Sequence, residues 1–413
     1  MLTFERRTLD NGMRVVVNED PITPLVAVNV LYEVGSRDES PDRTGFAHLF
    51  EHLMFTGSRS APDFDDPLQR AGGENNAYTT NDYTTFYEFL PADNLETALW
   101  LESDRMMALK IAKKSFLTQR KVVLEEFKET CLNEPYGDSW HHLSDMMYKV
   151  HPYRWPVIGF NMDHLKAATH EEVRAFYEQW YRPNNAVLAI AGRVKADEAF
   201  RLADKWFGGI PAGPTVQRHL PAEPAQTQVR RKVVTADVPL PLVFLAFRMP
   251  ARLEPDFYAC DLLADLLSEG PSSRLYRHLL KEQQLFSSID AYVTGNHDPG
   301  LFIIEGRPSA GISPEKALEA IWSELDALCE QPVAERELEK VKHRYESTVV
   351  YAETSVLNNV QHLAYYESLC GAEWLNAEVN VYLNMQADTL HQAARKLFSR
   401  NLSGELIYLP KSV

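Results

Sequence analysis

Residues 208–228 read GGIPAGPTVQRHLPAEPAQTQ, with prolines at 211, 214, 221 and 224 and no apolar periodicity. Proline removes a backbone donor and fixes φ, so four of them in one stretch exclude a helix or an interior strand. The stretch is expected to be a linker, and it divides the 413 residues into halves of similar size. The halves also look alike. Pro24-Leu25-Val26-Ala27-Val28 is echoed by Pro241-Leu242-Val243-Phe244-Leu245, and each leads through a charged loop to a helix beginning near a Phe (Phe46, Phe257). Towards the ends, Asn185 to Ile190 is matched by Ser403 to Tyr408. This weak repeat predicts an α+β fold of two related domains. The expected domains are 1–207 and 232–413, with 208–231 between them.

Local patterns fill in the first half. Leu9-Asp10-Asn11-Gly12 is a tight-turn sequence leading into the β-rich run 13–17, and the Val-rich run 25–32 is a second strand. Further strands are expected around residues 78–90, and amphipathic helices at 95–109 and 114–132. Residues 46–55 hold no helix breaker, and Gly57 is placed to end that helix in a left-handed conformation.

That helix carries His48-Leu49-Phe50-Glu51-His52. Residues four apart on a helix share a face, so both imidazoles can address one ion, with Glu51 beside them. Two imidazoles and a carboxylate suit Zn²⁺ with an open fourth position, and a neighbouring carboxylate can shuttle a proton from an activated water to a leaving amine. The spacing is the reverse of HExxH, the inverted-zincin pattern. With 13 His in the chain, roughly 0.03 chance occurrences are expected. A buried helix with two satisfied core histidines is the competing explanation. Phe46, Leu49, Phe50, Leu53 and Met54 mark the helix as largely buried, and three ionisable groups on it are costly without a compensating partner. A third ligand is needed, and the helix 114–132 offers Glu125, Glu126 and Glu129; spacing does not choose among them.

Composition removes other classes. Lys+Arg number 42 against 58 Asp+Glu, a net charge of −16, and the longest basic cluster is Arg230-Arg231-Lys232. Phosphate backbones repel such a chain, so no nucleic-acid partner is expected. Cys131, Cys260, Cys329 and Cys370 lie far apart without CxxC spacing, which fits thiols in a reducing compartment. Charges at Glu5, Arg6 and Arg7 interrupt any secretory signal, and no apolar run reaches membrane-spanning length. A cytoplasmic location is expected, with the periplasm open to a chain whose leader has been removed.

His48–His52 followed by Arg120-Lys121-Val122-Val123-Leu124-Glu125-Glu126 resembles the pitrilysin-like metallopeptidases, the insulinase and mitochondrial processing peptidase group. Gly72-Gly73-Glu74-Asn75-Asn76-Ala77-Tyr78-Thr79-Thr80 looks like that family's GGxxNAxT segment, and Tyr181-Arg182-Pro183-Asn184-Asn185 and Gly192 also match. The likeness covers essentially the whole chain, and it implies two homologous α/β-sandwich domains, each a mixed, mostly antiparallel sheet with helices packed on it. It implies that Glu126 is the third zinc ligand and Glu51 the general base. It further implies that Asn76 and Ala77 lie on the strand edge that receives a substrate backbone by β-addition.

Two departures stand out. Many family members carry, seven residues before the last ligand, a Glu that braces the site from outside the ligand ring; this chain has Gln119, which can hydrogen-bond but adds no charge. Active members often place an Arg and a Tyr seven residues apart in the second half, where this chain has Leu280 and Ser287. The second half also carries Ala259, Leu262 and Leu263 where the metal motif would repeat. Short family members work as dimers, so the length suggests half of a clamshell. The expected partner is an unlike chain supplying the Arg/Tyr pair, with a homodimer as the alternative. The function expected is a zinc-dependent endopeptidase acting on unfolded oligopeptides in a closed chamber. The rival reading is a non-catalytic scaffold or processing subunit that keeps zinc for structure, and a zinc hydrolase of small molecules is a third. His141-His142 is set aside as a metal pair because adjacent helical residues diverge by about 100°.

Overall fold

The computed structural model describes residues 1–411 and contains two mixed sheets. The first is built from β1 (Glu5–Thr8), β2 (Arg14–Glu19), β3 (Leu25–Tyr32), β4 (Glu74–Thr79), β5 (Thr84–Pro91) and β6 (Ala186–Gly192), in the order β1-β2-β6-β3-β5-β4. The second contains β7 (Arg230–Ala236), β8 (Leu242–Arg248), β9 (Phe286–Val293), β10 (Leu301–Pro308) and β11 (Gly404–Pro410), in the order β7-β11-β8-β10-β9. The repeat is visible here strand for strand. β2 runs parallel to β6, as β7 does to β11, and every other pairing in both five-strand series is antiparallel. The mixed, mostly antiparallel α/β sandwich expected from sequence is the fold observed.

Helices α1 (Phe46–Leu53), α2 (Asp65–Arg70), α3 (Leu95–Ala108) and α4 (Lys113–Phe127) accompany the first sheet. Its central strands are buried on both faces, which explains why β6 reads AVLAIAG with every residue buried. Val15, Val28, Val30, Leu188 and Ile190 pack with Leu49, Phe50, Leu53 and Leu99 of α1 and α3. On the opposite face, Val16, Ala27, Leu31 and Ala189 pack with Val356, Val360 and Leu363 of the helix Val356–Leu369.

That last helix comes from the far half of the sequence. One compact unit comprises Met1–Phe127, Trp155–Leu220 and Val349–Glu378; the other comprises Lys128–Arg154, Pro221–Thr348 and Val379–Val413. In the second unit, Leu143, Met146 and Met147 of the helix Ser139–Met147 pack on Phe244, Ala246 and Leu406. Gly404 gives Met147 room there, since a Cβ would lie 2.2 Å from Met147 Sδ. The units therefore differ from the contiguous spans 1–207 and 232–413: each sheet has one face covered by a helix from the other half of the chain. The physical reason is that a sheet buried on both faces needs apolar cover on both, and each half covers its partner's open face. Residues 211–227 lack regular structure, yet within the first unit Arg218 Nε donates to Asp38 (2.6 Å), and within the second Glu223 accepts the N–H groups of Lys149, Val150 and His151 at 2.7–3.0 Å.

Candidate metal centre

α1 has the sequence FAHLFEHL, and its spacing sorts the side chains. Phe46, Ala47, Leu49, Phe50 and Leu53 are buried, whereas His48, Glu51 and His52 occupy the remaining face. Aromatic rings back the helix: Phe50 stacks on Phe176 (centroids 5.1 Å) and on Tyr181 (5.1 Å), and Tyr181 meets Tyr32 at 4.7 Å. The Tyr181–Asn185 segment thus serves packing, with Asn185 Nδ2 donating to Trp180 O at 2.9 Å. The helix ends at Leu53, earlier than expected. Gly57 is left-handed (φ 97°) in the following turn, where a Cβ would lie 2.2 Å from Pro62 O.

α4 packs beside α1, with Phe116 and Val123 buried in the core that holds Leu49, Phe50 and Leu53. Glu126 follows Val123 by three residues and so turns toward the histidines, while Glu125 and Glu129 are exposed. Glu126 Oε1 lies 3.5 Å from His48 Nε2, and Oε2 lies 3.3 Å from His52 Nε2. The two Nε2 atoms are 3.4 Å apart. Among the described residues, His48, His52 and Glu126 are the one group of three or more His, Cys, Asp or Glu whose ligand atoms converge, all within 4.8 Å. Donor atoms this close are held together by a shared proton or by a cation, and two imidazoles with one carboxylate are a donor set suited to Zn²⁺. The residues present therefore fit the ion.

The electrostatics agree with that fit. Burial lowers the His48 pKa, opposed by the Glu126 charge, so the imidazole is biased toward its neutral form, the form that ligates. The hydrogen bond with His52 holds the Glu126 carboxyl below its ordinary value.

Glu51 points to a neighbouring strand: Thr79 Oγ1 donates to Glu51 Oε2 at 2.6 Å. Thr79 closes β4, the edge strand of the sheet, which also carries Asn76 and Ala77. The Ala77 N–H donates to Asn76 Oδ1 (2.8 Å), with Asn76 opposite Tyr87 and Ala77 opposite Phe86 on β5. Gln119 lies half-buried on α4, two turns before Glu126. In the second unit, Ala259, Leu262 and Leu263 are fully buried core residues. Ser287 Oγ donates to Arg307 O (3.2 Å), and Leu280 is half-buried in the wide helical turn Leu275–Glu282. His142 pairs with Asp138 (3.1 Å) and Lys232 (2.7 Å), a surface network.

Two contributors were not singled out from the sequence. Thr79 lay inside the quoted segment, two residues past Ala77 and therefore on the same strand face, which is the signal that would have found it. Glu39 accepts the N–H groups of Gly45 (2.9 Å) and Ala47 (2.8 Å) at the start of α1; nothing in its local sequence separates it from the acidic residues around it.

Fold and cluster together define a class: a chain of two related α/β units with a two-histidine, one-glutamate cluster in the first. Known proteins narrow it further. Residues 14–159 match the family model described as insulinase (peptidase family M16), and residues 167–345 match that of the peptidase M16 inactive domain. The zinc protease PqqE of Helicobacter pylori is 32% identical over 388 residues, covering 88% of this chain and 86% of that protein. The crystal structure of a protease from Helicobacter pylori superposes with a TM-score of 0.93 at 29% identity, covering 99% of this chain and 100% of the other. The periplasmic protease PqqL of Escherichia coli shares the fold (TM-score 0.80, 18% identity), with 98% of this chain matching 47% of that one. The chain belongs to the insulinase family, peptidase family M16.

Proposed function

We propose that this chain is a zinc-dependent endopeptidase of unfolded oligopeptides in which His48, His52 and Glu126 hold the metal and Glu51 is the general base. The observation that carries the reading is the convergence of those three donors beside a glutamate one residue from the second ligand. The relatives named zinc proteases support it. Zinc, when bound, supplies a Lewis acid that polarises the scissile carbonyl and lowers the pKa of water.

The chain's own residues do the rest. Glu51 takes the proton from the attacking water and passes it to the departing amine. Thr79 donates to one Glu51 oxygen (2.6 Å), which fixes the carboxylate and leaves its other oxygen for the proton. The open edge of β4 offers Asn76 and Ala77 to an extended peptide, whose main-chain hydrogen bonds accept many sequences. Because Thr79 ends that same strand, the peptide and the base are held by one element.

Among the described residues, the second half adds no ligand to this cluster. Its match to an inactive-domain model, with Leu280 and Ser287 at the Arg/Tyr positions, supports a second subunit that completes a closed chamber. The match of this chain to about half of PqqL supports the same reading, with an unlike chain favoured over a homodimer. The wide cysteine spacing supports the cytoplasm as the compartment.

The deciding experiment measures bound zinc and cleavage of a quenched fluorogenic peptide for the native chain and for Glu51→Gln, alone and with candidate partner chains. Zinc retained with cleavage abolished in Glu51→Gln is the expected result. Zinc binding without cleavage by the native chain under every pairing would favour a scaffold subunit instead.

A further inference from the structure

α1 begins without a cap of its own. The residue before it, Gly45, is left-handed (φ 88°), has no side chain to accept a helix N–H, and cannot be exchanged cheaply because a Cβ there would lie 2.8 Å from Ile158 O. The acceptors come instead from Glu39, 7% exposed, whose Oε2 takes the Gly45 N–H and whose Oε1 takes the Ala47 N–H. A single hydroxyl or amide oxygen at a cap would secure one donor. Two carboxyl oxygens on donors two residues apart fix the rotation of the first turn as well as its position.

His48 follows Ala47 directly. Its Nδ1 is buried and has no hydrogen-bond partner, so the usual brace on a ligating imidazole, a bond to its second nitrogen, is missing. The direction of the ring is then set by the backbone that carries it.

We propose that Glu39 is a positioning residue of the metal centre: by clamping Gly45 and Ala47 it sets the rotation of α1 at which His48 and His52 both face Glu126. This rests on the zinc reading above. A carboxyl that served stability alone would leave the metal site untouched when removed from a protein that still folds.

The test uses the full chain and its Glu39→Ala and Glu39→Gln variants, with Thr169→Ala as a control that removes the side-chain cap (3.2 Å to the Glu172 N–H) of the helix His170–Trp180. Zinc affinity is read by competition with a chromogenic chelator, site geometry by the visible spectrum of the cobalt-substituted protein, and folding by thermal denaturation of the metal-free form. Glu39→Ala is expected to weaken zinc about 10- to 100-fold, as loss of an outer support does, and to alter the cobalt spectrum. Glu39→Gln, which keeps one acceptor oxygen, is expected to fall between it and the native chain. Thr169→Ala should lower the melting temperature with zinc affinity unchanged within about twofold. Folded Glu39 variants that bind zinc as the native chain does would overturn the proposal alone. A native chain that binds no zinc would overturn the metal reading and this inference with it. Should Glu39→Ala fail to fold, Glu39→Gln decides: weakening of threefold or more supports the clamp, and a change within twofold overturns it.

Discussion

Thr79 Oγ1 donates to Glu51 Oε2 at 2.6 Å, joining the last residue of the edge strand β4 to the acidic residue of the histidine helix. The bond spans 28 positions of sequence and is charge-assisted, a type that contributes about 1.5–3 kcal/mol. Thr79→Val keeps the shape and removes the donor. It should lower kcat about tenfold with little change in KM, and Thr79→Ser should restore most of the loss. Steady-state kinetics on a fluorogenic peptide separate the two parameters. An equal effect of the serine variant would assign Thr79 to packing.

Glu126 is the only carboxylate among the three acidic candidates on its chain segment that meets both histidines. Glu126→Gln should reduce zinc affinity by at least the tenfold to hundredfold that follows loss of an outer support, since it replaces a charged ligand outright. Glu125→Gln and Glu129→Gln should leave bound zinc unchanged. Metal content after dialysis against a weak chelator gives the answer directly.

Burial pushes the Glu39 carboxyl up to about 8 from an ordinary 4.5, aided by Asp38 and opposed by the N–H groups of Ala47, Gly45 and Phe46. Between those values the folded chain holds a proton that the unfolded chain has lost. Stability from this group is therefore full below about pH 4.5 and is lost as pH rises toward about 8, at up to about 1.4 kcal/mol per pH unit. Glu39→Gln cannot titrate. Urea denaturation of the metal-free native and variant chains from pH 5 to 8 should show the native chain losing stability relative to the variant. Parallel curves would contradict the shift.

Arg105 is 1% exposed and lies between Glu102 (2.9 Å) and Glu88 (3.4 Å), with its guanidinium over the rings of Phe64 (4.3 Å) and Phe86 (4.4 Å). Removing one partner of a buried ion pair leaves uncompensated charge and costs about 3–5 kcal/mol. Arg105→Ala should therefore lower the unfolding free energy by about that amount, visible in the denaturation midpoint. Arg105→Ala with Glu102→Gln should recover part of it, because a neutral amide then replaces the carboxyl that lies against the lost guanidinium.

The sequence by itself determined what local chemistry and periodicity can specify. β3 occupies the expected run 25–32, because a strand flanked by others and covered on both faces is largely apolar, and its one buried amide, Asn29, donates to Thr85 Oγ1 and Phe86 O. His48 and His52 share a face because helical geometry allows nothing else at that spacing. The repeat in β3/β8 and β6/β11 was legible because both pairs sit in sheet centres, where burial restricts composition. What lay beyond reach was every relationship between distant segments. Burial beside Val123 singles out Glu126 from Glu125 and Glu129, and that depends on which face of α4 meets α1. The Glu39 clamp and the Thr79 donor depend on how loops return to α1. The covering of the first sheet by the helix Val356–Leu369, and of the second by Ser139–Met147, crosses the linker in both directions. Tertiary structure decided these because a polar side chain pays for burial only where its partners converge, and convergence is a property of packing, not of spacing along the chain.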